Sequence, residues 1–322
     1  MPHNVMHQPT PSRTLSVGVR RLTLEAGGVS LSCLLAEPRG RRPRAVVIAV
    51  HGGGMTAGYF DGQAHPDLSL LTLGARLGFT VLAVDRPGYG LSARQLPAGL
   101  TLTEQAEVLH AAMERFAEGH ATGGGFFLLA HSYGGKLALV TAARARGLLA
   151  LDLSGCGHRY GVDPAELRRI RQGSDRRRTW GPLGLYPPDT FRSIATVVAP
   201  MPEREAAEVV RWPGIFDALA PDIRVPVRLT FAEHEGWWLH GEQDIAELTA
   251  RLAGSPLVRV EHQPDAGHNI SLGWAARSYH LRALAFFEEC LSGRPAAPRA
   301  VNAAGARAHA GADTASGAPP QV

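Results

Sequence analysis

Short apolar runs alternate along this chain with stretches of helical spacing, and that alternation is the tightest constraint on its fold. Residues 45–50 (AVVIAV), 80–84 (TVLAV), 126–130 (FFLLA) and 148–153 read as buried strands, and 68–77, 101–118 and 133–146 as helices. Strands apolar on both faces and separated by helices predict an α/β fold, a mostly parallel sheet with helices on both faces. Ahead of them, two strand-like runs within 17–36 are joined by Gly27-Gly28, a hairpin signal. The alternation stops after Gly157 and resumes with strand 225–231, helix 244–252, strand 257–261 and helix 274–291. The expected organisation is therefore a core over 15–157 and 222–292, interrupted by a helical cap over 158–221. The ends, 1–14 and the Ala/Gly/Pro-rich 293–322, are expected to be disordered, because they carry too little large apolar surface to offset ordering.

Composition removes several classes of function. With 45% hydrophobic and 19% charged residues the chain is not a disordered one. No apolar stretch approaches the roughly 18 residues of a membrane span, and the polar start lacks a secretory core, so a cytoplasmic location is expected. Cys33, Cys156 and Cys290 are too scattered for a disulfide framework or a zinc site, and no metal is expected. The net charge of +4 comes almost wholly from arginine, Lys136 being the only lysine. Beside so much Ala, Gly and Pro, that bias reads as GC-rich coding rather than phosphate binding, and no nucleic-acid motif accompanies it.

The most informative stretch is FFLLAHSYGGKLAL, residues 126–139, in which a buried strand passes through Ala130-His131-Ser132-Tyr133-Gly134-Gly135 into a helix. Small residues two before and two after Ser132 permit a strained turn that lifts its hydroxyl above the sheet. The backbone N–H of Tyr133, at the helix start, then faces developing negative charge. This resembles the nucleophile elbow of the α/β-hydrolase superfamily, with Ala130 where glycine is commoner. His51-Gly52-Gly53-Gly54 follows strand 45–50, where that family places its second oxyanion donor, and the resemblance assigns this to Gly53, with Gly54 as the alternative. Asp85-Arg86-Pro87-Gly88-Tyr89-Gly90-Leu91-Ser92 is similar to the family's D-x-R-G-x-G-x-S turn and is expected to be structural.

A serine needs a base oriented by a third group. The resemblance implies that base is His268, in Asp265-Ala266-Gly267-His268-Asn269, whereas His51 and His131 read as loop residues. For the acid it implies Glu235, with Ala232 standing at the glycine of G-x-x-D; Glu233 and Asp152 are the alternatives. The order Ser132, Glu235, His268 is the family's order.

Tyr160, Trp180, Tyr186, Phe191 and Trp212 of the expected cap, with Trp237 and Trp238 beside the acid, are candidates for packing the cap onto the core or lining an apolar pocket. Gly54, Trp180, Tyr186, Trp237 and Trp238 are carried as candidate substrate contacts. Arg168, Arg169, Arg171, Arg176, Arg177 and Arg178 read as a solvated face, with recognition of coenzyme A or an acyl carrier as the functional alternative. The resemblance implies a serine hydrolase of a small-molecule acyl substrate, an ester or lactone, needing no cofactor. A carrier thioesterase, a lyase or cyclase using the same pocket, and a silent binding protein are the alternatives.

Overall fold

A computed structural model of the chain describes residues 14–168 and 176–293. The ends expected to be disordered, 1–14 and 293–322, lie outside the described residues except for Thr14 and Gly293.

Eight strands form one sheet: β1 (Arg20–Ala26), β2 (Val29–Ala36), β3 (Val46–Val50), β4 (Thr80–Val84), β5 (Phe126–His131), β6 (Leu148–Ser154), β7 (Val227–His234) and β8 (Val258–Gly267). They lie in the order β1-β2-β4-β3-β5-β6-β7-β8. Only β2 runs against its neighbours, pairing antiparallel with β1 and β4, and the remaining pairs are parallel. Gly27 and Gly28 both adopt positive φ (57° and 76°) between Ala26 and its partner Val29, as a two-residue hairpin turn requires.

The central strands divide their side chains between two apolar layers. Val46, Ile48 and Val50 of β3 enter one with Leu128 and Ala130 of β5; Val47, Ala49, Phe127 and Leu129 enter the other. The first layer is closed by α2 (Leu102–Gly119), α3 (Tyr133–Arg144) and α9 (Glu242–Arg251), and the second by α1 (Leu70–Leu77) and α10 (Ala276–Ser292). α2 opens on a full capping box between Thr101 and Glu104. Between β6 and β7 the described residues hold only short helices, among them α4 (Pro164–Arg168), α5 (Arg176–Trp180), α6 (Thr190–Ser193), α7 (Glu203–Val209) and α8 (Trp212–Leu219).

From β3 the chain moves outward to β4 and then returns to the other side of β3 as β5. That reversal opens a crevice beyond the carboxyl ends of β3 and β5, where open α/β sheets bind ligands. Val50 is registered with Ala130, so the residues that follow, the glycines after His51 and Ser132 after His131, emerge side by side.

Candidate active site

Ser132 joins β5 to α3 with φ 53° and ψ −115°, a conformation uncommon for any residue but glycine. Its surroundings hold it there. The Ser132 N–H donates to the Ser154 carbonyl at 2.8 Å. Gly134 brings the first turn of α3 so near β3 that a Cβ there would collide with the Val50 carbonyl oxygen. A Cβ on Gly52 would meet that of Ser132 at 3.2 Å, so the two loops do run abreast.

His268 follows β8 directly, and its Nδ1 donates to Glu235 Oε2 at 2.7 Å, both side chains being buried. The other Glu235 oxygen accepts the Trp237 N–H at 2.9 Å, and the Glu235 N–H donates to the Ala232 carbonyl. The carboxylate is thus fixed by its own loop. Neither alternative acid faces His268. Asp152 accepts from Arg228 at 2.6 Å and from the Tyr279 hydroxyl at 2.9 Å, with Arg228 also reaching Glu261. Exposed Glu233 accepts the N–H of Asp265, whose φ is 51°, and so braces the irregular last stretch of β8 that precedes His268.

Gly155 at the end of β6 has φ 56°, and a Cβ there would lie 2.7 Å from His268 Cε1. It is a supporting position that the sequence reading missed. Of the two histidines expected in loops, His51 does lie in the loop after β3, whereas His131 is the last residue of β5; burial holds both neutral. His51 donates from Nδ1 to the Gly52 carbonyl and accepts the Arg86 N–H at Nε2, and burial beside Arg86 holds its pKa well below the ordinary imidazole value. His131 stacks on Tyr59, approaches the Ser154 hydroxyl at 3.1 Å and is likewise depressed by burial and by His268.

The Gly52–Gly54 turn is held from behind. Arg86, fully buried, donates to the carbonyls of His51 (2.9 Å) and Gly52 (3.1 Å), to Gln105, and to Glu205 of α7, its ion-pair partner. Glu205 also accepts from the Tyr89 hydroxyl at 2.8 Å, and that hydroxyl accepts the N–H of Gly54 at 3.0 Å. Gly54 therefore spends its donor on Tyr89. No hydrogen bond among the described residues takes the N–H of Gly53, and Tyr133, first in its helix, has no partner within it. The expectation that the Asp85–Ser92 turn merely redirects the chain needs widening, since its arginine and tyrosine brace the neighbouring glycine loop.

A cavity of about 380 Å³ opens over these groups, lined by Gly52–Gly54, Ser132, Tyr133 and His268 below and by Trp180, Met201, Trp237 and Trp238 around them. Trp238 stacks on Tyr160 with centroids 4.1 Å apart and donates to the Gly155 carbonyl at 2.7 Å. Tyr186 corrects the sequence reading: it does not line the cavity but packs edge-on behind Trp180, against Gly267 and Gly273. Trp212 is fully buried and donates to the Gly157 carbonyl, a packing role. Lys136, singled out in the sequence only as a compositional oddity, also lines the cavity. Of the arginine run, Arg169 and Arg171 lie outside the described residues and Arg178 pairs with Glu166. Among the described residues no group of three His, Cys, Asp or Glu is placed to hold a metal, and no helix is long and apolar enough to cross a membrane.

This sheet order with its strand–serine–helix turn defines an α/β-hydrolase architecture. A sequence model of the alpha/beta hydrolase family matches residues 47–289 of the 322, and the chain belongs to that family as an enzyme of the hydrolase class. Its structure is similar to that of a thermostable carboxyl esterase from Bacillus coagulans (TM-score 0.63, 18% identity, covering 86% of this chain and 100% of that one). It is also similar to an esterase from Thermogutta terrifontis (TM-score 0.56, 20% identity, 84% and 99% covered) and an epoxide hydrolase from Vigna radiata (0.61, 15%, 86% and 100%). No curated protein matches the sequence.

Proposed function

We propose that the protein hydrolyses a carboxylic ester or lactone through an acyl-enzyme on Ser132, under a helical cap formed by 158–221. The observation that carries this reading is the buried 2.7 Å contact of His268 Nδ1 with Glu235, in a cavity that Ser132 also lines. With Nδ1 committed to the carboxylate, Nε2 is the nitrogen left to take the Ser132 proton as Oγ attacks the acyl carbon. The N–H groups of Gly53 and Tyr133 hold the resulting oxyanion, and Glu235 stabilises the imidazolium. Collapse breaks the bond to the leaving oxygen, which takes the proton from His268. Water then attacks the acyl-enzyme with His268 again as base, releasing the acid and restoring the serine hydroxyl. The likeness of the fold to two esterases supports an ester over other acyl bonds.

The acid assignment is tested by Glu235→Gln, which keeps shape and removes the charge that stabilises the imidazolium. It should lower kcat by about 10²–10⁴-fold with KM little changed, while Glu233→Gln changes kcat less than about threefold. A crippling Glu233→Gln beside an active Glu235→Gln would move the acid to Glu233.

A further inference from the structure

The chain's one lysine sits in the wall of the cavity beside the nucleophile. Lys136 is buried, and it follows Ser132 by one turn of α3, its N–H approaching the Ser132 carbonyl at 3.4 Å. Residues four apart share a helix face. The ammonium donates to the Tyr160 hydroxyl at 2.5 Å and lies over four aromatic rings, Tyr133 and Tyr160 at 5.2 Å, Trp238 at 5.5 Å and Trp212 at 5.7 Å. Ring faces attract a cation but do not neutralise it. Among the described residues Lys136 forms no ion pair, although buried cations are ordinarily paired.

The carboxylates nearest in charge to it are committed elsewhere. Glu205 serves Arg86, Tyr89 and Gln105, and Glu208 accepts from the Leu102 N–H and the Tyr133 hydroxyl. A lysine has three donors, and the Tyr160 hydroxyl takes one. We infer that Lys136 is a specificity residue that seats a carboxylate of the substrate, so that the enzyme prefers esters or lactones carrying a second, ionised carboxyl group on the acyl or the leaving side. One ammonium balances one negative charge. A phosphate dianion would leave a negative charge unbalanced in the buried site, so a monoanionic carboxylate fits best. The inference rests on the hydrolase reading above.

The pH dependence follows from the groups around the ammonium. Burial lowers the Lys136 pKa to about 8. Facing it, Cys156 is pushed up to about 12, Tyr133 and Tyr160 rise well above the ordinary phenol value, and Arg86 stays charged. Burial raises the Glu208 pKa above the ordinary carboxylate value. The ammonium is present below about pH 8 and lost above it, so preference for an anionic substrate should fade as pH rises through that value.

The test compares two matched pairs. One is the p-nitrophenyl monoester of adipic acid and its neutral methyl ester; the other is 4-carboxyphenyl butyrate and its methyl ester. The quantity read is the ratio of kcat/KM, anionic over neutral, in which any pH effect common to both members of a pair cancels. At least one pair should show a ratio that falls about 10–100-fold in Lys136→Met, the loss expected when a desolvated charge pair loses its cation. The same ratio in the wild-type enzyme should fall between about pH 7 and 9, around the lowered lysine pKa, a reading that does not depend on the variant folding. Ratios that are unchanged by the substitution and flat with pH, or both members of each pair slowed by one factor, would overturn the inference while leaving the hydrolase reading intact. No turnover of any of the four esters would overturn that reading and this inference together.

Discussion

Ser132 and Gly155 both hold backbone at positive φ, for opposite reasons. Ser132 accepts about 1–3 kcal/mol of strain so that a side chain can stand above the sheet. Gly155 avoids a side chain altogether, because its Cβ would strike the imidazole of His268. Gly155→Ala therefore combines an unfavourable φ with a collision against the proposed base. We expect kcat to fall about 10²-fold, the cost of displacing a catalytic group by an ångström or so, with a smaller change in KM. Steady-state kinetics on a simple aryl ester checks this, and an undiminished kcat would mean that His268 is not held where it acts.

At the scale of elements, the reach of sequence reading follows how local each signal is. The strands over AVVIAV, TVLAV and FFLLA were legible because both faces of a central strand must be apolar, and the observed β3, β4 and β5 match them within a residue or so. The Ser132 turn was legible because small residues at fixed offsets are a local demand of steric origin. β7 and β8 are longer than their apolar runs. β8 continues from Glu261 to Gly267 because its backbone pairs with Phe231, Ala232 and His234 of β7, a bond pattern that the polar side chains there do not advertise. The pairing of Arg86 with Glu205 joins positions 119 residues apart and has no local signature at all. Tyr186 and Trp180 show the same limit, since aromatic content does not reveal which ring faces the cavity and which packs behind it. Lys136 was the exception with a usable signal: the only lysine, four residues past a candidate nucleophile.

Across the whole molecule, Glu205 ties the helical segment between β6 and β7 to the glycine loop after β3. It does so through Arg86, which grips the carbonyls of His51 and Gly52, and through Tyr89, which takes the Gly54 N–H. Glu205→Ala leaves a buried guanidinium unpaired, a change that costs about 3–5 kcal/mol. The urea midpoint should fall accordingly with its slope unchanged, whereas a loss of unfolding free energy below about 0.5 kcal/mol would mark the pair as dispensable. Every proposed step of the reaction depends on Ser132 as the nucleophile, and the most direct measurement is labelling by a fluorophosphonate, located by mass spectrometry and run beside turnover of an aryl ester. We predict a single adduct on Ser132, loss of activity in step with labelling, and neither labelling nor more than residual turnover in Ser132→Ala, a drop of about 10⁴–10⁶-fold in kcat. An adduct on another residue, or a Ser132→Ala enzyme that labels and turns over at the wild-type rate, would contradict it.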